Sequence, residues 1–246
     1  MPNHCKIRLK KPSFKTARVW CLAYVVSVTE CFVDLVYVVD SSGSINYKDA
    51  RNWDITKEFL VNLTRQFTIG ANDVHVAFIL FSDVATVEWG LTRYLDETSL
   101  INAIRNVRYI GETTNLNDAL YLTRTNVFGQ GGGVRSGAFK AAVILTDGED
   151  NVPVEGTPLT IQNATACKND GILLIGIGVS DQVDTRRLRE IVSAPADTHY
   201  YAVDDFRALM SIVTELTPTI CEATTPAPGP SKQPRLTPEN ITETDY

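Results

Sequence analysis

The sequence lacks the motifs on which several classes of function depend. Its three histidines are scattered and it has no Cys-x-x-Cys pair, which argues against a zinc site. The glycine-rich stretch 129–133 is followed by Val134 and Arg135 rather than by Lys and Ser/Thr, so it is a poor phosphate-binding loop. No Gly-x-Gly-x-x-Gly follows the first predicted strand, which argues against a dinucleotide enzyme.

Positive charge and long apolar runs are also scarce. The chain of 246 residues has a net charge of −6, and because residues 1–30 are basic, the remainder is more acidic still. An acidic body repels phosphate backbones, so we expect no nucleic-acid partner. The apolar run at 19–28 is too short to cross a bilayer, which needs roughly 20 residues, so we expect no membrane span.

The composition divides the chain into three parts. Residues 1–30 combine a basic stretch, a short apolar run and small residues, which is the layout of a secretory signal peptide. The alternative is a basic N-terminal segment that is retained. Residues 31–221 carry the apolar patterns of one domain. Residues 222–246 are rich in Pro and Thr and nearly devoid of large apolar side chains, which predicts a linker or tail.

Strand and helix patterns alternate along residues 31–221. Near-continuous apolar runs predict buried strands, and helical spacing of apolar residues separates them. We predict strands at 33–39, 74–81, 85–89, 139–145, 171–179 and 199–203, and helices at 47–67, 98–107, 116–126, 159–169, 185–192 and 206–216. This alternation predicts an α/β fold: a doubly wound, mostly parallel six-stranded sheet with one short antiparallel edge strand and helices on both faces.

Cysteines and sequons indicate an oxidising compartment. Cys31 precedes the first strand and Cys221 follows the last helix, so a disulfide between them would join the two ends of the domain. Cys167 lies at an apolar helical position and is expected to be buried. Three Asn-x-Ser/Thr sequons, at Asn62, Asn163 and Asn240, are candidate glycosylation sites. We therefore expect a secreted protein.

Small oxygen-bearing residues follow the predicted strands at one edge of the sheet. Asp40, Ser42 and Ser44 follow the first strand, Thr114 precedes a helix, and Asp147 follows a later strand. In open α/β sheets, ligands bind at the carboxyl ends of the strands. Oxygen ligands in this number suit a hard cation, so we predict a divalent metal site, with Mg²⁺ favoured and Mn²⁺ or Ca²⁺ as alternatives. Taken separately, each loop also fits an ordinary helix cap or turn.

The motifs resemble those of a known family. Asp-x-Ser-x-Ser at 40–44, Thr-Asn at 114–115 and Thr-Asp-Gly at 146–148 together resemble a von Willebrand factor A domain of the extracellular type, over about residues 32–217. The resemblance implies a Rossmann-like fold and a metal-ion-dependent adhesion site formed by Asp40, Ser42, Ser44, Thr114 and Asp147. Two positions depart from the usual pattern: Leu116 replaces a second Thr, and residues 112–113 replace a Gly pair.

This resemblance implies an adhesion module of the extracellular matrix. The metal would hold a Glu or Asp carboxylate of a matrix or cell-surface protein, with collagen as one candidate. The alternative is a structural matrix module whose protein contacts ignore the metal. An enzyme, such as a metal-assisted hydrolase, is less favoured, because no catalytic base is evident near the predicted site and His75 and His199 are poorly placed.

Overall fold

The computed structural model describes residues 31–148, 156–179 and 183–222, and its centre is one β-sheet. The six strands are β1 (Val33–Asp40), β2 (His75–Phe81), β3 (Ala85–Trp89), β4 (Phe139–Thr146), β5 (Ile172–Val179) and β6 (Tyr200–Val203). Their order is β3-β2-β1-β4-β5-β6. Among the strands in the described residues, only β2 and β3 pair antiparallel. The predicted mostly parallel sheet with one short antiparallel edge strand is confirmed.

Helices cover both faces of this sheet. They are α1 (Asn52–Thr64), α2 (Glu97–Arg105), α3 (Leu116–Leu122), α4 (Gly156–Asn169), α5 (Thr185–Ile191), α6 (Ala196–His199) and α7 (Val213–Glu222). A π-helical turn, Thr123–Val127, extends α3, and a 3₁₀ helix, Phe206–Ile212, precedes α7. Apolar side chains of α1, α2, the 3₁₀ helix and α7 form one core cluster, and those of α3, α4 and α5 form another.

Strand β1 lies between these two cores and is buried along its whole length. Leu35, Tyr37 and Val39 point into the first core, whereas Val36 and Val38 point into the second. This alternation is the two-residue period of a strand with apolar neighbours on both sides. Because β1 is fixed from both faces, the residues that follow it leave the sheet in a defined direction.

Several predicted boundaries differ from the structure. The helix predicted from residue 47 begins at Asn52, because the preceding residues form turns, with the Tyr47 amide donating to the Ser44 carbonyl. The helix predicted from residue 206 is 3₁₀ over its first seven residues. Phe206, Leu209 and Ile212 are its buried residues, and their spacing of three matches the 3₁₀ repeat rather than the α-helical one.

The two ends of the described domain meet. Cys31 and Cys221 form a disulfide, with their Cα atoms 5.0 Å apart, and Cys167 is a buried free thiol. The predicted signal peptide at residues 1–30 lies outside the described residues, and so does Asn240. The predicted tail also lies outside them, except for Glu222, which is the last residue of α7. Among the described helices, none is both long and apolar enough to cross a bilayer.

The order of the strands creates a crevice at one edge of the sheet. From β1 the chain crosses to β2 on one side, and it later returns to form β4 on the other side of β1. At such a reversal, adjacent crossover connections lie on opposite faces and leave a gap at the carboxyl ends of the strands. The residues that end β1 and β4 therefore border the expected binding crevice.

Candidate metal centre

The first loop of the site begins with a buried carboxylate. Asp40 ends β1 and has no exposed surface. Its Oδ1 atom accepts a hydrogen bond of 2.8 Å from the Ser42 amide, so the carboxylate bends the loop that follows it. Its Oδ2 atom accepts a hydrogen bond of 2.7 Å from the Thr146 hydroxyl at the end of β4. The carboxylate thus fixes the loop after β1 against the neighbouring strand.

A chain of hydrogen bonds joins this loop to the residue that follows β4. The hydroxyl oxygens of Ser42 and Ser44 are 3.0 Å apart. The Ser44 hydroxyl in turn donates to Oδ1 of Asp147 at 2.6 Å. Four of the five predicted ligands, Asp40, Ser42, Ser44 and Asp147, therefore lie together at the crevice, although more than 100 residues of sequence separate the first from the last.

Thr114 lies on the adjoining loop, between α2 and α3, and only 3% of it is exposed. Within the described residues it is not a member of the hydrogen-bonded chain of the other four side chains. Its loop is nevertheless attached to the first one: Gly43 N–H donates to the Glu112 carbonyl, and Gly111 N–H donates to the Ser41 carbonyl, both at 2.8 Å. Thr114 is therefore held beside the loop that carries Ser42 and Ser44.

Close backbone contact explains a glycine in each loop. A Cβ atom on Gly43 would lie 3.1 Å from the Gly111 carbonyl oxygen, closer than most side chains tolerate. Gly111 itself has φ +92°, a left-handed conformation that favours glycine. Glycine at both positions allows the two loops to pack backbone against backbone.

The crevice concentrates negative charge. Burial, followed by the nearby negative charge of Asp40, raises the pKa of Asp147 from 3.8 to about 7. The hydrogen bond from Ser44 and the positive charge of Lys48 act in the opposite direction without cancelling the effect. Two carboxylates in one partly dehydrated crevice repel each other, so a cation between them would be stabilised.

The residues present fit a hard divalent cation. The set consists of two carboxylates and three hydroxyls, all oxygen donors, on three loops that hydrogen bonds hold together. Among the described residues, no group of three or more His, Cys, Asp or Glu side chains is arranged to hold a metal. A cation at this crevice would therefore depend on neutral hydroxyls for most of its protein contacts.

Sequence reasoning assigned no supporting role to two residues that hold the site loops. Thr146 bonds Asp40, as described above, and the Ser82 hydroxyl donates to the Thr113 carbonyl at 2.9 Å while accepting from the Glu112 amide at 3.0 Å. Both residues stand at the ends of strands, which was the available signal. Leu116, one of the two departures from the usual pattern, packs into the second core with 4% exposure.

Comparison with known proteins identifies the family of this fold and site. The family model for the von Willebrand factor type A domain matches residues 34–215. The chain belongs to this family. One curated relative is the collagen alpha-1(XII) chain of Notophthalmus viridescens, which is 32% identical over 79% of this chain and 20% of the relative. Another is human matrilin-1, which is 27% identical over 76% of this chain and 36% of the relative. The chain thus spans about a fifth to a third of these extracellular matrix proteins.

Solved structures share the von Willebrand factor type A fold. Proximal thread matrix protein 1 from the mussel byssus, solved with zinc in its MIDAS motif, aligns over 78% of this chain and 49% of its own, with a TM-score of 0.70 and 22% identity. Manganese-loaded TRAP protein of Plasmodium vivax aligns over 78% of this chain and 74% of its own, with a TM-score of 0.61 and 20% identity. At these identities the likeness shows the fold alone.

Proposed function

We propose that this von Willebrand factor A domain is an extracellular adhesion module that binds a divalent cation, Mg²⁺ by preference, with Asp40, Ser42, Ser44, Thr114 and Asp147. The observation that carries the proposal is the hydrogen-bonded chain from Ser42 through Ser44 to Asp147 beside the buried Asp40. These groups converge at the crevice where open α/β sheets bind ligands. The zinc and manganese held by two proteins of the same fold support it.

The composition of the site favours an acidic partner. Three of the five proposed ligands are neutral hydroxyls, so the protein contributes at most two negative charges to the cation. When bound, the cation would supply a positively charged position that accepts a carboxylate oxygen from outside the protein. Ser44 is an exposed residue of the crevice, and we propose that a Glu or Asp approaches from its side.

Other observations weigh against catalysis. His75 begins β2, at the edge of the sheet opposite the proposed site. His199 immediately precedes β6, whose first residue pairs with Gly176 in the middle of β5, so it lies several residues short of the carboxyl ends of the strands. His199 faces backbone carbonyls, with Nδ1 3.0 Å from the Ser193 oxygen. Neither imidazole could act as a base on a substrate held at the crevice.

The partner is proposed to be a matrix or cell-surface protein, with collagen among the candidates, because the relatives are collagen chains and matrilin. The test is a pull-down from matrix extract with the full chain, in Mg²⁺ and in EDTA. Capture should require Mg²⁺ and should be lost in Asp147→Ala. The control Asp54→Ala removes a carboxylate from the exposed surface of α1, where the side chain is 75% exposed, and should leave capture unchanged.

Two results would contradict the adhesion proposal. Absence of a calorimetric signal with Mg²⁺ and Mn²⁺ would show that the five side chains hold no cation. Equal capture in Mg²⁺ and EDTA would favour the alternative, a structural matrix module whose contacts do not involve the metal.

We further propose that the protein is secreted and glycosylated. The disulfide between Cys31 and Cys221 supports an oxidising compartment. Asn62 on α1 and Asn163 on α4 are partly exposed, and the Asn163 amide donates to the Asn117 side chain at 2.8 Å. Mass spectrometry before and after enzymatic removal of N-glycans tests each site; an unchanged mass in protein secreted from animal cells would refute glycosylation.

A further inference from the structure

Three consecutive residues of the first site loop are each bonded to the second. The backbone groups of Ser41 and Gly43 bond those of Gly111 and Glu112. Between them, the Ser42 carbonyl accepts a hydrogen bond of 2.8 Å from the hydroxyl of Tyr109. The two backbone bonds need glycine at positions 43 and 111 but no functional side chain, whereas the third depends on the hydroxyl of one side chain. Tyr109 therefore bonds the residue that contributes the Ser42 hydroxyl to the site.

The ring of Tyr109 is itself held in place. It packs against Trp53 with the ring centres 5.7 Å apart. Trp53 is 5% exposed, and its indole N–H donates to the Val107 carbonyl at 3.2 Å. The backbone N–H of Trp53 donates at 3.0 Å to the side chain of Asn46, a residue just beyond Ser44 in the first loop. On the other side, a Cβ atom on Gly111 would come within 3.2 Å of the Tyr109 ring. The hydroxyl thus approaches the first loop from a rigid support.

We propose that Tyr109 is a positioning residue for the cation: its bond to the Ser42 carbonyl holds the first site loop in the arrangement that binds metal. This inference rests on the proposed function. Apparent affinity falls in proportion to the fraction of protein already in the binding arrangement. Removing one bond between the loops lowers the equilibrium constant for the binding arrangement by the factor of one hydrogen bond, about fivefold, because the two backbone bonds remain. This factor is the upper limit for the loss of affinity.

The test is Tyr109→Phe in the full chain, which removes the hydroxyl and keeps the ring on Trp53. Calorimetric titration with Mg²⁺, repeated with Mn²⁺, should show affinity weaker than that of the wild type, by at most about fivefold. The matched control is Tyr201→Phe, which removes a hydroxyl bonded to Thr219 on α7 at 2.8 Å. This control should bind the cation as the wild type does.

A second measurement separates positioning from general stability. In metal-free protein, Tyr109→Phe should speed amide hydrogen exchange at Gly43 and Gly111, whose N–H groups form the two remaining bonds between the loops. If Tyr109→Phe lowers the melting temperature equally in Mg²⁺ and EDTA while metal affinity stays at the wild-type value, the residue is merely structural and the inference is wrong. If the wild type binds neither cation, the proposed function fails, and this inference fails with it.

Discussion

Replacing Asp147 by Asn should stabilise the metal-free protein while abolishing its response to metal. In the folded protein the pKa of Asp147 is raised from 3.8 to about 7, so the fold binds this proton more tightly than the unfolded chain does. Unfolding therefore releases a proton between about pH 4 and pH 7, and the stability of metal-free wild type falls as pH rises through that window. Above pH 7 the wild type has lost all of the stability that protonation of Asp147 contributes at low pH.

The size of this effect follows from the pKa. A difference of about three units corresponds to about 4 kcal/mol at 1.36 kcal/mol per unit, which is the upper limit for the gain from a neutral side chain at pH 8. Asn has nearly the shape of the protonated acid, and its carbonyl oxygen can accept the hydrogen bond from Ser44. Metal-free Asp147→Asn should therefore be more stable than wild type by about 2–4 kcal/mol at pH 8 and by little at pH 4.

Urea unfolding of the full chain in EDTA, at pH 4 to 8, measures the difference. In a parallel series, Mg²⁺ should stabilise the wild type, most strongly above pH 7 where Asp147 is ionised. Mg²⁺ should leave the stability of Asp147→Asn unchanged. Asp96→Asn is the control, because Asp96 caps α2 at the surface and hydrogen bonds from Ser99 lower its pKa. The control should gain no stability. An Asp147→Asn protein less stable than wild type in EDTA at pH 8 would refute the reasoning.

Three other predictions concern stability and the loops. Thr56→Val should stabilise the protein by about 1 kcal/mol in urea unfolding, because the buried Thr56 hydroxyl has no hydrogen-bond partner among the described residues. The control Thr64→Val removes a hydroxyl that lies 3.1 Å from that of Tyr37 and should destabilise the protein. Equal effects of the two substitutions would contradict this account. Joint replacement of Cys31 and Cys221 by Ser should cost about 2–5 kcal/mol, because the bond closes a loop of 190 residues; an unchanged unfolding midpoint would count against it. Gly111→Ala should weaken Mg²⁺ binding in calorimetry, because φ +92° disfavours a side chain, whereas wild-type affinity would show that the loop tolerates one.

The fold was predictable because its strands are nearly continuous apolar runs. β1 and β5 are buried on both sides, so their sequences are almost uninterrupted by polar residues. Amphipathic helices, in contrast, alternate apolar and polar residues with each turn. Helix boundaries were less predictable. The segment before Asn52 contains residues with helical spacing, but its backbone forms turns that fix the loop after Asp40. Tertiary contacts of this kind leave little trace in local periodicity.

The proposed ligands were predictable from their positions, but their supports were not. Asp40 ends β1 and Asp147 directly follows β4, and the rule for ligands in open sheets predicts that they lie together. Tyr109 stands in a loop with no distinctive motif, and its role depends on a contact with Ser42, which is 67 residues away. The bond from Thr146 to Asp40 likewise requires β1 and β4 to be neighbours in register, which the sequence alone does not state.

The bridge between Cys31 and Cys221 also determines how the domain responds to mechanical tension. Tension between the two ends of the domain passes from Cys31 to Cys221 through the covalent bond, over the 5.0 Å between their Cα atoms. The sheet and the crevice lie outside this line of force. The domain is therefore shielded from stretching that would otherwise extract β1 or α7, and its loops can keep their arrangement while the ends of the domain are under load.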